Sequence, residues 1–493
     1  MARVSTRSKP GVDPRLVIAF AALSAVAVYL LFSAAVYRIG FPLDDSWIHL
    51  TYARNFAQHG DWAFRLGERS AGSTSPLWTA LLSPGFLLDL APYLWTFFLG
   101  WLTLTALGIT AETAARKTVA SYKPVFPWVG IFFALEWHFT WSAVSGMETL
   151  LHGIVLLFVL TQLMNGSRRY LSLGLLAGIS VWIRPDGLTL LGPILFTAFF
   201  TEMTWSARGQ ALLKTLMGFG IFFFFYLLFN LALSGNPLPN TFYAKRAEYE
   251  AFWLSKTLGE RLWNYLGVII ASPFLALLPG FFYWLKKIVE RRNWGAVAGV
   301  IWFVGYVGIY FMSLPAYQHG RYIIPALTLL YFDGMTGTLE LLARFRSNKR
   351  LVFLWQSAIV ALTLSFTVFG ARQNALDVYW VETEMVATAQ WVGQNLPPDA
   401  LLAVHDIGAL GYFAPNPLVD MAGLIEPQVV PFIRDEVRLA EYLTVRSADY
   451  LIVLPGFYPQ MTSTLQPVFT AGAISSLLPP GENMKVYPWK AGH

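Results

Sequence analysis

Asp44 and Asp45 stand side by side in FPLDDSWIHLTYARN, just after the first long apolar run of the chain. Two adjacent carboxylates raise the proton affinity of one of them. That suits a general base, or a pair of oxygen ligands for a cation. Helix capping is the plainer role, since an aspartate before a helix accepts its free backbone N–H groups. The helix is expected, because Ile48, Tyr52 and Phe56 recur at four-residue spacing and Gly60 can end it. One cap accounts for one aspartate and leaves the other for chemistry.

Ionisable groups at or near membrane depth are costly and mark function. Glu148 in SGMETLL serves either as a first-turn acid favoured by the helix dipole or as a substrate contact. Arg184 and Asp186 in WIRPDG either pair across a proline turn or meet a substrate. Lys245 and Arg246 in NPLPNTFYAKR suit an anion, or form a solvated loop tip. His319 and Arg321 in QHGRYIIP suit either lipid headgroups or a specific phosphate. His405, Asp406, Asp420 and Glu426, in VHDIGALGY and VDMAGLIEP, read as turns between strands.

The elements that must position these groups are membrane helices. Of 493 residues 56% are hydrophobic and 13% charged, against roughly 25% charged in a soluble domain. The mean hydropathy is +0.50, and aromatics at 16% suit interfacial belts. Segments 15–37, 92–114, 124–143, 148–164, 170–183, 187–203, 211–233, 262–285, 294–314, 321–342 and 350–370 are apolar enough to be spans. Basic clusters at Arg3/Arg7/Lys9, Arg116/Lys117, Arg168/Arg169, Arg208/Lys214, Lys286/Lys287/Arg291/Arg292 and Arg344/Arg346/Lys349/Arg350 fall on every second connection. The positive-inside rule puts them in the cytoplasm. The expectation is a polytopic plasma-membrane protein of about eleven spans, N-terminus inside and C-terminus outside. The net charge of +6 is then a topology signal, and nucleic acid is not an expected partner. Cysteine is absent, so disulfides and thiolate chemistry are excluded.

Residues 76–90, broken by Pro84-Gly85, are too short for a span and are expected to dip into the outer leaflet. The first apolar run is too long for a signal-peptide core, so an uncleaved anchor is expected. Residues 1–370 then form a transmembrane module whose first outer loop, 39–90, carries the acid pair. Residues 371–493 change character. ALLAVHDI, PLVDMAGL and ADYLIVLP read as short buried strands, with helices at 382–395 and 434–446, which makes a small extracytoplasmic α/β domain.

An outer site with paired acids, separated cations and an apolar groove suits sugar transfer from a lipid-linked phosphate. A carboxylate activates the acceptor hydroxyl and the cations stabilise the leaving phosphate. A lipid transporter with no chemistry is the alternative. It calls for ionisable groups deep in several spans and for repeat symmetry, and neither is visible.

The order of motifs, DD in the first outer loop, ARN, a Gly/Ser loop and PLW, resembles the C-type polyprenyl-phosphate-dependent glycosyltransferases, the GT-C fold. SGMET, IRPDG, LPNTFYAK, HGRY and DIGALGY…VDMAGL are similar to the mycobacterial terminal β-(1→2) arabinofuranosyltransferase family and its bacterial relatives. The resemblance, from Phe41 to about Pro427, implies a polyprenyl-phosphate sugar donor and a glycan, lipid or protein acceptor at the cell envelope. It implies that Asp44 or Asp45 is the general base, with Asp44 favoured. Lys245, Arg321, His319 and Arg184 are the expected donor-phosphate contacts, and Arg54, Glu148, Asp186 and Tyr243 the expected substrate contacts. A divalent cation would suit the acid pair. No further acid ligands stand near in sequence, so a metal-independent reaction is expected.

Overall fold

In a computed structural model, residues 12–472 and 483–489 are described; Arg3, Arg7 and Lys9 lie outside them. Helices occupy every segment expected to be a span. The first, Pro14–Val36, begins at a proline with Asp13 as its cap. Pro92–Thr118, Trp205–Ser234, Trp294–Ser313 and the long C-terminal helix are likewise long and apolar enough to cross a bilayer. Leu258–Ile270 and Pro273–Glu290 make a sixth if counted as one span, bent by 76° at the break before Pro273.

Other expected spans are short or interrupted. Segment 124–143 divides at Glu136 into Trp128–Leu135 and Trp137–Val144, with the Glu136 carboxylate accepting the Phe139 N–H to start the second helix. Thr149–Met164 and Tyr170–Ile183 are apolar but only 16 and 14 residues long. Segment 187–203 begins as a 3-10 turn, Pro185–Leu190, before Leu191–Thr201. The helix start after Glu148 and the turn at Pro185–Leu190 leave Glu148, Arg184 and Asp186 at element ends.

The loop after the first helix folds as expected and adds a hairpin. Asp45–His59 is helical and ends at Gly60, whose φ of 69° lies in the left-handed region that glycine tolerates. Ala63–Arg65 and Glu68–Arg69 pair antiparallel. Pro76–Leu87 is a helix of 12 residues, about 18 Å long, and so does not cross a bilayer. It packs on the Asp45 helix, with Trp47 and Trp78 fully buried.

The last long helix, Lys349–Val381, runs unbroken through residues 370 and 371. A π-helical turn, Glu382–Val386, carries it into Ala387–Asn395. Beyond it lies a five-stranded sheet. Leu402–Val404 is flanked by Leu418–Asp420 and Tyr450–Val453, both parallel to it, with Leu402 opposite Leu418 and Tyr450. Lys485–Pro488 and Phe469–Thr470 extend the Tyr450 side as antiparallel strands. The three expected strands are present, and Glu436–Val445 forms the expected second helix. Ile407–Phe413, read from the sequence as a turn, is a short helix.

Candidate active site

The Asp45 helix, the Arg184 turn, the helix Asn240–Ser255, the end of Trp294–Ser313 and the turn before Ile324 enclose a cavity of about 500 Å³. Asp45, Glu148, Arg184, Asp186, Lys245 and Arg321 all line it, so six of the ten expected site residues converge. The other four do not reach it.

Asp45 sits at the centre of the polar wall. One carboxylate oxygen accepts from Lys245 Nζ at 3.1 Å and stands 2.7 Å from Arg321 Nη2. Burial alone would raise its pKa. The Lys245 ammonium and the Arg321 guanidinium outweigh that and hold the carboxyl well below the usual range. The side chain keeps 25% exposure, toward the cavity. Both cations also face the Tyr322 ring, at 5.7 and 4.9 Å from its centroid.

Asp44 does something else. It occupies the N-cap position of the Asp45 helix, yet its side chain makes no cap there. Its two oxygens accept the N–H groups of Gly408 and Ala409, each at 2.8 Å, and so cap the distal-domain helix Ile407–Phe413. Burial first, then the nearby Asp406 and Asp45 carboxylates, raises its pKa against the pull of those amides. The expected base Asp44 thus has its carboxylate engaged by these amides, and it is Asp45 that faces the cavity. Gly408 lies so close that a Cβ there would stand 2.1 Å from the Asp44 backbone oxygen. Gly408→Ala is expected to pull the distal domain off this seat and to destabilise by about 1–3 kcal/mol, the cost of orphaning buried amides. A thermal midpoint equal to wild type would refute that seat.

The floor is a charge network. Arg184 donates to Glu148 at 3.0 Å and to Asp186 at 3.1 Å. Tyr310 donates to Asp186 at 2.8 Å, and Tyr306 also donates to it. Arg184 was expected at the donor phosphate, but its guanidinium is engaged by two carboxylates. His49 Nε2 lies 3.5 Å from the second Glu148 oxygen, and burial lowers the His49 pKa and favours the neutral ring. His152 lies 3.6 Å from Asp186.

Three expected site residues play supporting roles or none. His319 turns from the cavity and pairs with Asp377 at 2.7 Å, which also accepts from Trp141 Nε1. It belongs to a turn in which Gln318 and His319 take left-handed φ values of 49° and 60°, strain that the Asp377 contact holds and that delivers Arg321. Arg54 donates to the Tyr412 carbonyl and stacks on that ring, again joining loop and distal domain. Tyr243 does not line the cavity; its ring meets Phe242.

The sequence reading missed Tyr306, Tyr310, Tyr322, His49, His152 and Asp377. The four-residue spacing of Trp302, Tyr306 and Tyr310 on one helix face was the available signal for that wall. Asp44 and Asp45 serve different partners, and the groups around Asp45 are cations. The pair does not fit a divalent ion, and among the described residues no cluster of three or more His, Asp or Glu is arranged for one.

A bundle of broken apolar helices with a distal α/β region is a GT-C-like fold. Among solved structures the chain is similar to ArnT from Cupriavidus metallidurans bound to undecaprenyl phosphate, at 13% identity over 97% of this chain and 99% of that one, with a TM-score of 0.59. It is also similar to the oligosaccharyltransferase of Archaeoglobus fulgidus in its apo form, at 11% identity over 89% of this chain and 69% of that one, TM-score 0.59. The archaeal oligosaccharyltransferase AglB from the same organism, in complex with an inhibitory peptide and a dolichol-phosphate, gives 10% identity over 88% and 69%, TM-score 0.56. A family model described only as a domain of unknown function, DUF8728, matches residues 374–487. No curated protein matches the chain.

Proposed function

We propose that the chain transfers a sugar from a polyprenyl-phosphate donor to a cell-envelope acceptor outside the cytoplasm. The observation that carries this is Asp45, held between Lys245 and Arg321 in the wall of a cavity of about 500 Å³. The neighbours of the same fold, bound to undecaprenyl phosphate or in complex with a dolichol-phosphate, support the lipid carrier. Residues 1–370 act as the catalytic module and 371–493 as an extracytoplasmic domain, with the N-terminus in the cytoplasm.

In this reading Asp45 is the general base. Without donor it serves as counter-ion to Lys245 and Arg321. When the donor phosphate arrives, the two cations turn to it. Asp45 loses its strongest partners, its proton affinity rises, and it can take the proton from an acceptor hydroxyl. The hydroxyl oxygen attacks the anomeric carbon as the bond to the phosphate oxygen breaks. The electron pair leaves on the phosphate, where Lys245 and Arg321 stabilise it. Attack opposite the leaving group inverts the anomeric centre. Arg321 Nη1 and Thr241 Oγ1 are buried without hydrogen-bond partners among the described residues, which suits groups awaiting a polar ligand. No step runs through a metal.

The test is transfer by the protein reconstituted in vesicles, with a panel of polyprenyl-phosphate sugars and envelope extract. The donor panel spans both pentosyl and hexosyl carriers. Lys245→Ala and Arg321→Ala are each expected to raise the donor KM by about ten- to a hundredfold, as loss of a charge-assisted contact requires. Movement of the donor lipid across the vesicle bilayer without glycosidic product would overturn the reading in favour of a lipid transporter.

A further inference from the structure

The segment His405–Ala409 of the distal domain, which runs into the helix Ile407–Phe413, touches both walls of the Asp45–Lys245 contact. On one side Gly408 and Ala409 hold Asp44, the residue next to Asp45. On the other, His405 Nε2 lies 3.3 Å from the carboxylate of Glu248, three residues after Lys245 on the helix Asn240–Ser255. Arg434 closes the second contact by donating to the Glu248 carbonyl at 3.1 Å, with a guanidinium nitrogen 3.6 Å from its carboxylate. His405 and Glu248 are 7% and 6% exposed, so the pair is screened little by solvent.

Resting on the reading above, we infer that His405 is a positioning residue for sugar transfer: through Glu248 it fixes the helix that carries Lys245, while the same segment fixes the start of the helix that carries Asp45. The distance between the phosphate-binding lysine and the base is thus set from the distal domain, not from the membrane helices alone. Unclamped, the helix Asn240–Ser255 keeps its packing on Pro427–Phe432 and the Arg434 contact but loses the charged tie beside Lys245, and Lys245 loses a defined place over the donor phosphate.

The charge state of His405 follows from its surroundings. Burial disfavours the charged ring, but the Glu248 hydrogen bond and charge outweigh it, with Asp406 and Asp420 adding to them, and push the pKa up to about 9. Tyr458, at 2.7 Å from Nδ1, and Arg434 complete the titratable and charged groups around it. A histidine pKa raised in the folded state contributes stability that is present in full below its ordinary value of 6.5 and is lost as pH rises through about 9.

The test uses the full-length protein, which lacks cysteine, with spin labels at Gln58→Cys on the Asp45 helix and Ser255→Cys on the Lys245 helix. At neutral pH the wild-type background is expected to give one narrow distance distribution, broadening above pH about 9. His405→Gln is expected to broaden it at every pH and to raise the donor KM about tenfold with kcat little changed. His405→Lys, which keeps the charge, is expected to restore both. A narrow distribution and an unchanged donor KM in His405→Gln would overturn the clamp. If His405→Gln does not fold, Glu248→Gln takes its place with the same two outcomes. Should the wild type transfer no sugar while the distances still respond to His405, the enzymatic reading fails and the clamp stands.

Discussion

Asp45→Asn is expected to cut sugar transfer by roughly two to four orders of magnitude, the usual effect of losing a positioned general base, while donor-lipid binding stays equal or tightens. The second half of this result is the diagnostic one. In the wild type the Asp45 carboxylate holds Lys245 and Arg321, and under the proposed function it competes with the donor phosphate for them. An amide does not compete, so both cations are free to bind phosphate. Asp44→Asn should behave in the opposite way. It keeps turnover within about tenfold but loses one of two amide contacts to the distal helix, lowering stability by roughly 1–3 kcal/mol. Equal losses of turnover in the two variants, measured on reconstituted protein, would refute the division of labour between the two acids.

Arg184→Met is expected to give the largest loss of stability, about 3–5 kcal/mol, because it strands two buried carboxylates. The Arg184 side chain is 11% exposed and those of Glu148 and Asp186 2% and 12%, so water cannot replace the guanidinium. Adding Glu148→Gln and Asp186→Asn to Arg184→Met should recover most of the thermal midpoint, since the charges that needed pairing are gone. If Arg184→Met alone unfolds at the wild-type temperature in detergent, Arg184 is not the keystone of the floor and is free to meet the donor phosphate.

Much of the frame was legible because it depends on local pattern. The apolar runs located the helices, and Ile48, Tyr52, Phe56 and Gly60 located the helix Asp45–His59 with its end. Lys245 and Arg321 stood out as cations in short polar loops, and both reach the cavity. The role of each aspartate was not legible. Neighbouring helical residues point about 100° apart, so only one can face the cavity, and which one depends on where the distal helix brings its amides. The tyrosine wall was hidden for a related reason. Tyr306 and Tyr310 sit in an apolar span, where aromatic residues read as packing or as interfacial belt, and the carboxylate that gathers their hydroxyls, Asp186, comes from a distant turn. His405 was taken for a turn residue because Glu248 lies 157 positions away, beyond any sequence pattern.

The helix Lys349–Val381 has 33 residues and so measures about 50 Å, against roughly 30 Å of bilayer hydrocarbon. It continues through a π turn into the distal domain with no flexible joint. It is therefore a mast stepped in the membrane, holding the sheet at a set height. Gly408 and Ala409 of the same domain sit on Asp44, so the helix length and that seat have to agree, and a few residues inserted into the helix would lift the distal domain off the Asp44 loop.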